Sequence, residues 1–145
     1  MAFQIQPGHT YKLTNNKTRV VLNLSMADFK SVAGATWDGS DNQKWVAERA
    51  RSGPQPGATR WVFRNVATGL YLGIDGPPKP AGFVVATRTE TEWDVHLDRD
   101  DPSILRLLVP NGRLGIQLGD RGAAPAKLSD KEGEEQRWRF EEGEH

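Results

Sequence analysis

The sequence predicts an all-β domain made of three similar units that share one barrel about a pseudo-threefold axis. Three observations carry this. A pair of alternating apolar–polar segments recurs three times along the 145 residues. A tryptophan follows each pair at nearly the same distance. The 15 Gly and 9 Pro are spread along the chain rather than bunched, and turns at regular intervals are the mark of a chain of short strands.

The first unit reads Tyr11-Lys12-Leu13-Thr14-Asn15-Asn16, then Val20-Val21-Leu22-Asn23-Leu24. The second reads Trp61-Val62-Phe63-Arg64-Asn65-Val66, then Leu70-Tyr71-Leu72-Gly73-Ile74. The third reads Leu105-Arg106-Leu107-Leu108-Val109-Pro110, then Leu114-Gly115-Ile116-Gln117-Leu118. Period-two alternation gives each strand one inward and one outward face. The intervening turns Asn15-Asn16, Ala67-Thr68-Gly69 and Asn111-Gly112 carry residues that tolerate positive φ. Tyr11 precedes Trp45 by 34 positions, Trp61 precedes Trp93 by 32, and Leu105 precedes Trp138 by 33. A unit this short cannot bury an apolar face alone, and three around one axis can. Trp45, Trp93 and Trp138 are therefore expected in the core, with Trp61 at the position of Tyr11. The units span residues 8–52, 58–100 and 103–142 of a single domain, with residues 53–57 a loop between the first two, residues 75–80 a loop inside the second and residues 98–102 a connection to the third. No segment keeps an apolar i, i+3, i+4 pattern over three turns, so only short turns are expected at Asp28-Phe29-Lys30 and Asp130-Lys131-Glu132.

Composition narrows the function. Lys and Arg number 19, as do Asp and Glu, and a balanced charge argues against nucleic-acid or anionic-membrane partners. The acidic end (Glu132, Glu134, Glu135, Glu141, Glu142, Glu144) reads as a solvated tail. There is no cysteine, hence no disulfide frame or thiol nucleophile. With no apolar leader in residues 1–7 and no span-length stretch, a cytoplasmic location without membrane insertion is expected. His9, His96 and His145 lack metal-ligand spacing. No nucleophile elbow, phosphate loop or dinucleotide fingerprint is present, so neither catalysis nor a cofactor is expected.

Gln-x-Trp closes the first and third units as Gln43-Lys44-Trp45 and Gln136-Arg137-Trp138, while the second has Thr91-Glu92-Trp93. This pattern over almost the whole chain resembles the ricin B-type β-trefoil lectins. The stretches NVATGLYLGIDG and GSDNQKW look most like the cysteine-free lectins of mushrooms, in particular the lectin-like light subunits of tyrosinase and their mannose-binding relatives. The resemblance implies a β-trefoil and a non-catalytic lectin for mannose or related simple sugars and glycan ends. The alternatives are a protein-interaction module without sugar binding, whose partner is a protein, and a trefoil protease inhibitor acting through a loop such as residues 76–82.

A sugar site needs an aromatic face for the C–H side of the ring and short polar side chains to bridge hydroxyls. The resemblance places such groups in the second strand, the following loop and the Gln-x-Trp region. The first unit is the best candidate. Trp37, the tryptophan outside the repeated pattern, lies in loop-like Gly34-Ala35-Thr36-Trp37-Asp38-Gly39-Ser40 ahead of the polar pair Asn42 and Gln43. Trp37 also suits closing one end of the barrel, and Gln43 and Gln136 suit holding turns through backbone bonds. Asn23 stands where the family has an aspartate, with Asp28 and Asp38 as substitutes. A weaker second site has Asp75 and Phe83. A weaker third has Asp120 and Gln136, with Glu135 in place of asparagine and no aromatic residue between Leu114 and Trp138.

Overall fold

A computed structural model of the chain describes residues 5–50, 59–98, 101, 103–110, 112–118, 124–131 and 133–142. These hold twelve strands and no α-helix. The first unit has β1 (Thr10–Asn15), β2 (Val21–Leu24), β3 (Val32–Ala35) and β4 (Trp45–Arg49). The second has β5 (Thr59–Asn65), β6 (Tyr71–Ile74), β7 (Val84–Thr87) and β8 (Trp93–Leu97). The third has β9 (Ile104–Leu108), β10 (Gly115–Gln117), β11 (Lys127–Ser129) and β12 (Trp138–Glu142). Two 3-10 turns, Asp41–Gln43 and Glu134–Gln136, precede the tryptophans of the first and third units.

Antiparallel pairing closes a six-stranded barrel in the order β1, β4, β5, β8, β9, β12 and back to β1. Closure leaves the barrel no free edge. The remaining strands form three hairpins, β2–β3, β6–β7 and β10–β11. Three single bridges, Ser31 to Val85, Ala33 to Pro125 and Phe83 to Lys127, tie the hairpins into a ring. This is the β-trefoil expected from the repeats.

Barrel side chains come in threefold sets: Tyr11, Trp61 and Leu105; Leu13, Phe63 and Leu107; Ala47, Val95 and Phe140, all buried. Sizes vary within a set and compensate between sets. Phe140, the large member of its set, packs 5.9 Å from Tyr11 and edge-on to Phe63 at 5.7 Å, centroid to centroid. Such complementarity keeps the interior at native density.

The three tryptophans that begin β4, β8 and β12 have no exposed surface. Each indole Nε1–H donates to a carbonyl of its own unit's second strand: Trp45 to Leu22 at 3.2 Å, Trp93 to Leu72 at 2.9 Å and Trp138 to Ile116 at 3.0 Å. A buried indole N–H without an acceptor would be costly, so each barrel strand is fastened to the hairpin above it.

Some local expectations are corrected. Asn15 and Asn16 do not supply positive φ. Instead, the Asn15 Oδ1 accepts from the backbone N–H groups of Lys17 and Thr18, as Asn65 Oδ1 does from Ala67. The left-handed residue of each turn comes later, at Arg19 (φ 66) and Gly69 (φ 76), whose N–H groups bond the carbonyls of Asn15 and Asn65. Asn111 lies outside the described residues, as does the proposed loop at residues 53–57. The third strands β3, β7 and β11 have no counterpart in the sequence reading, and Gly34 and Ala35 belong to β3 rather than to a loop. Glu132 and Glu144 of the acidic end lie outside the described residues, and the other four are not a free tail. Glu141 and Glu142 lie in β12, and Glu134 and Glu135 form a 3-10 turn paired to Arg137 and Lys17.

Three substitutions test these contacts. Trp45→Ala should lose about 3–5 kcal/mol in urea unfolding. Trp45→Phe, which keeps a ring but orphans the Leu22 carbonyl, should lose about 1–3 kcal/mol. Arg19→Gly should gain about 0.5–1 kcal/mol, because glycine occupies the left-handed region without the Cβ penalty. An unchanged or lower midpoint would show that the Arg19 side chain contributes more than its backbone costs.

Candidate functional site

The first hairpin alternates cleanly. Leu22 and Leu24 point into the core, and Asn23 points outward opposite Ala33. The 3-10 turn brings Asn42 over this outward face. Asn42 Nδ2 donates to Asn23 Oδ1 at 3.0 Å and to the Leu24 carbonyl at 2.9 Å. Those bonds use both amide protons of Asn42 and leave its Oδ1 acceptor. On Asn23 they leave the Nδ2 donors. Among the described residues neither of these two atoms has a protein partner, and neither is sealed from solvent. The pair therefore presents a donor and an acceptor side by side, which is the pattern that two neighbouring hydroxyl groups complement.

Several contacts fix the pair. The carbonyl of Asn42 accepts from Asn65 Nδ2 at 3.1 Å, which anchors the turn to the second unit. Gln43 is 2% exposed. Its Oε1 accepts from the Asp38 N–H and its Nε2 donates to the Thr36 carbonyl, both at 2.9 Å. Gln43 thus holds residues 36–38 in place beside Asn42, and of its two expected roles the structure places it in the turn-holding one. Gln136 does the same in the third unit: buried, it donates to the Ser129 carbonyl and accepts from Arg106 at 2.8 Å.

Trp37 is partly exposed, and the Lys12 ammonium lies 4.7 Å from its ring centroid. The cation is drawn to the electron-rich face of the indole. Asp38 is exposed and bonds the Ser40 N–H at 2.9 Å; Ser40 holds its carboxyl below the usual range. Asp28 does not substitute for Asn23. Its carboxylate is committed within the β2–β3 loop, accepting from Ser31 Oγ at 2.5 Å and from the N–H groups of Lys30 and Ser31 at 2.9 Å each.

In the second unit the strand register puts Asp75 off the position that Asn23 holds in the first. The residue equivalent to Asn23 is Gly73, because Gly73 pairs with Val85 as Asn23 pairs with Ala33. A Cβ on Gly73 would lie 2.6 Å from Thr87 Oγ1 and 2.9 Å from Thr91 Oγ1. Those hydroxyls fill the space a polar side chain would need. Asp75 sits further on, at the level of Ser25. Phe83 is exposed and faces the third unit, bridged to Lys127. In the third unit Gln117 takes the place of Asn23, Glu135 pairs with Lys17 at 3.1 Å, and Asp120 lies outside the described residues. Among the described residues no cluster of His, Cys, Asp or Glu is arranged to hold a metal ion, and no helix is long and apolar enough to cross a membrane.

The electrostatics of the loop give a pH prediction. The Ser31 hydroxyl first, then the N–H groups of Ser31 and Lys30, lower the Asp28 carboxyl from 3.8 to about 2. A carboxyl depressed on folding supports the loop above its unfolded value and loses that support as pH falls through its folded one. The β2–β3 loop should therefore keep its shape at pH 3 and loosen only near pH 2. Carbon-detected titration of Asp28, with amide shifts of Lys30 and Ser31, checks this; a midpoint near 4 would contradict it.

No family model matches the chain, and none of the curated proteins matches it. Solved structures do. A ricin B-like lectin of Macrolepiota procera, solved with lactose, superposes with a TM-score of 0.87 at 29% identity, covering 97% of this chain and all of that one. The Rhizoctonia solani agglutinin gives 0.81 at 22% identity, covering 98% of this chain and all of its own. ThreeFoil, a designed threefold-symmetric protein, gives 0.76 at 17% identity, covering 90% and 96%. The chain is thus similar in fold, end to end, to β-trefoil proteins that include mushroom ricin B-like lectins.

Proposed function

We propose that this chain is a non-catalytic carbohydrate-binding protein whose principal site is the outward face of the first hairpin. The observation that carries this is the Asn23–Asn42 amide pair, which sets an open donor beside an open acceptor on a rigid β surface. The lactose complex of the similar Macrolepiota procera lectin supports the same ligand class. In this reading Asn23 and Asn42 bridge two sugar hydroxyls, Trp37 and Asp38 border the site, and Gln43 supports it from beneath. The ligand is a monosaccharide or a glycan end on a glycoconjugate, with mannose as the sugar implied by the family resemblance and lactose as the rival to test beside it. The cytoplasm is the proposed location.

The inhibitor alternative has less support, because the loop it would use is folded back on the body. Ala81 N–H bonds the Leu128 carbonyl at 2.8 Å and Gly82 N–H bonds the Lys79 carbonyl at 3.0 Å. A protein-interaction role gains no specific contact surface from the first-unit geometry.

A single shallow site should bind monosaccharides with a Kd of roughly millimolar to high micromolar. Calorimetry with mannose and lactose should show Asn42→Ala and Asn23→Ala weakening the bound sugar about tenfold or more, with the thermal midpoint little changed in Asn23→Ala and lowered in Asn42→Ala, which takes the donor from the Leu24 carbonyl. Trp37→Ala should weaken it severalfold. Asn23→Asp should tighten binding, since a carboxylate accepts charge-assisted bonds from hydroxyls. Wild-type affinity in both asparagine variants would remove this site from consideration.

A further inference from the structure

The ring of hairpin bridges generates three rows of outward side chains, one at each seam between units. Residues directly opposite in an antiparallel pair share a face, so each row can be read from the pairing. At one seam the row runs Asn23, Ala33, Pro125. At another it runs Gly73, Val85, Ser31, Ser25. Beyond the asparagine neither carries a charge or an aromatic ring. The seam between the second and third units differs. Gln117 pairs with Lys127 across β10–β11, Lys127 bridges to Phe83, and the Asp75 N–H bonds the Phe83 carbonyl at 3.0 Å. The row is an amide, an ammonium, an aromatic ring and a carboxylate, drawn from two units.

The four groups are placed to take a ligand. Phe83 is 46% exposed, a large apolar ring left in water. The Lys127 Nζ lies 5.4 Å from its centroid. Among the described residues neither Lys127 nor Asp75 has an ion pair, and the Gln117 amide has no hydrogen-bond partner. Neighbouring strands lie about 4.8 Å apart, so Asp75 stands about 10 Å from Lys127 along the row. The row therefore has a polarity. Donors, ammonium and amide, gather at one end; the ring occupies the middle; an acceptor stands at the far end.

We propose that this seam is a second binding site, selective for an acidic saccharide such as a uronate. The carboxylate of the sugar pairs with Lys127 and accepts from Gln117 Nε2, the apolar face of the pyranose stacks on Phe83, and hydroxyls donate to Asp75. The spacing keeps the carboxylate of the ligand away from that of Asp75. Repulsion between them rejects the reversed orientation. The site does not use Asn23 or Asn42 and stands or falls independently of the first-unit site. With both sites working, one chain would bind two glycans, and cross-linking would need no oligomer.

The test uses the intact chain and two probes that differ only in the carboxylate, methyl β-D-glucuronide and methyl β-D-glucoside, followed by amide shifts in ¹⁵N spectra. The glucuronide should shift the amides of Phe83 and Lys127 at millimolar concentration, with the glucoside at least fivefold weaker there. Lys127→Gln, an exposed substitution whose spectrum itself reports folding, should abolish the difference between probes. Adding about 0.5 M NaCl should weaken the glucuronide alone. Asn42→Ala should leave the seam response intact, so a failed first site and a failed seam are told apart. Equal binding of both probes, shifts that survive Lys127→Gln, or no shift at the seam would each overturn the proposal.

Discussion

The fold depends on three indoles that must be both dry and hydrogen-bonded. Burying a tryptophan removes a large apolar surface from water, but its N–H then needs an acceptor. Each unit meets the need with the carbonyl of its own second strand, at Leu22, Leu72 and Ile116. One bond thereby connects the two halves of a unit, the barrel strand that starts with the indole and the hairpin that covers it. The constraint also positions function. The turn just before Trp45 has to lie over the first hairpin, and this carries Asn42 onto the outward face next to Asn23. The candidate site is a consequence of where the indole goes.

Much of the fold was legible because it rests on local pattern. The first two strands of each unit alternate visibly, and the even spacing of Trp45, Trp93 and Trp138 marks the threefold arrangement without any structure. The third strands were not legible for a physical reason. Val32–Ala35, Val84–Thr87 and Lys127–Ser129 are three or four residues long. What decides their burial is the bridge each makes to a neighbouring unit, which no window of sequence contains. The turns show a related limit. Asn15 is a turn residue as expected, yet it acts through its side-chain oxygen, while the positive φ falls on Arg19, a residue with no propensity for it.

The site was legible in part. Asn42 and Gln43 stand out as a polar pair before a core tryptophan, but the sequence does not divide their roles. Gln43 faces inward because residues 36–38 fold around its amide. Asn42, one position earlier, faces out. Asp75 was the carboxylate offered for the second site. Pairing shows that Gly73 holds the equivalent place, with Thr87 and Thr91 closing the space above it. A one- or two-residue register decides which side chain occupies a site, and register is set across strands rather than along them. The absence of an aromatic residue between Leu114 and Trp138 argued against a site in the third unit. Phe83 nevertheless reaches that surface from the second unit.

The contrast between inner and outer residues explains how one symmetric frame carries unlike surfaces. Inside the barrel the sets are coupled. Phe140 of the third unit packs on Tyr11 of the first and Phe63 of the second, so a change in one unit must be answered in another. The outward rows are under no such obligation. The place shared by Ala33, Val85 and Lys127 holds a methyl, a largely covered isopropyl and an exposed ammonium, while the buried neighbour beside each, Val32, Val84 or Ala126, packs into the core. Surface substitutions of this kind cost little stability. The backbone bridges that hold the ring together are indifferent to side-chain chemistry. They therefore present three equivalent frames whose recognition groups can diverge freely, an amide pair at one and a graded donor-to-acceptor row at another, while the indoles beneath keep the geometry of all three the same.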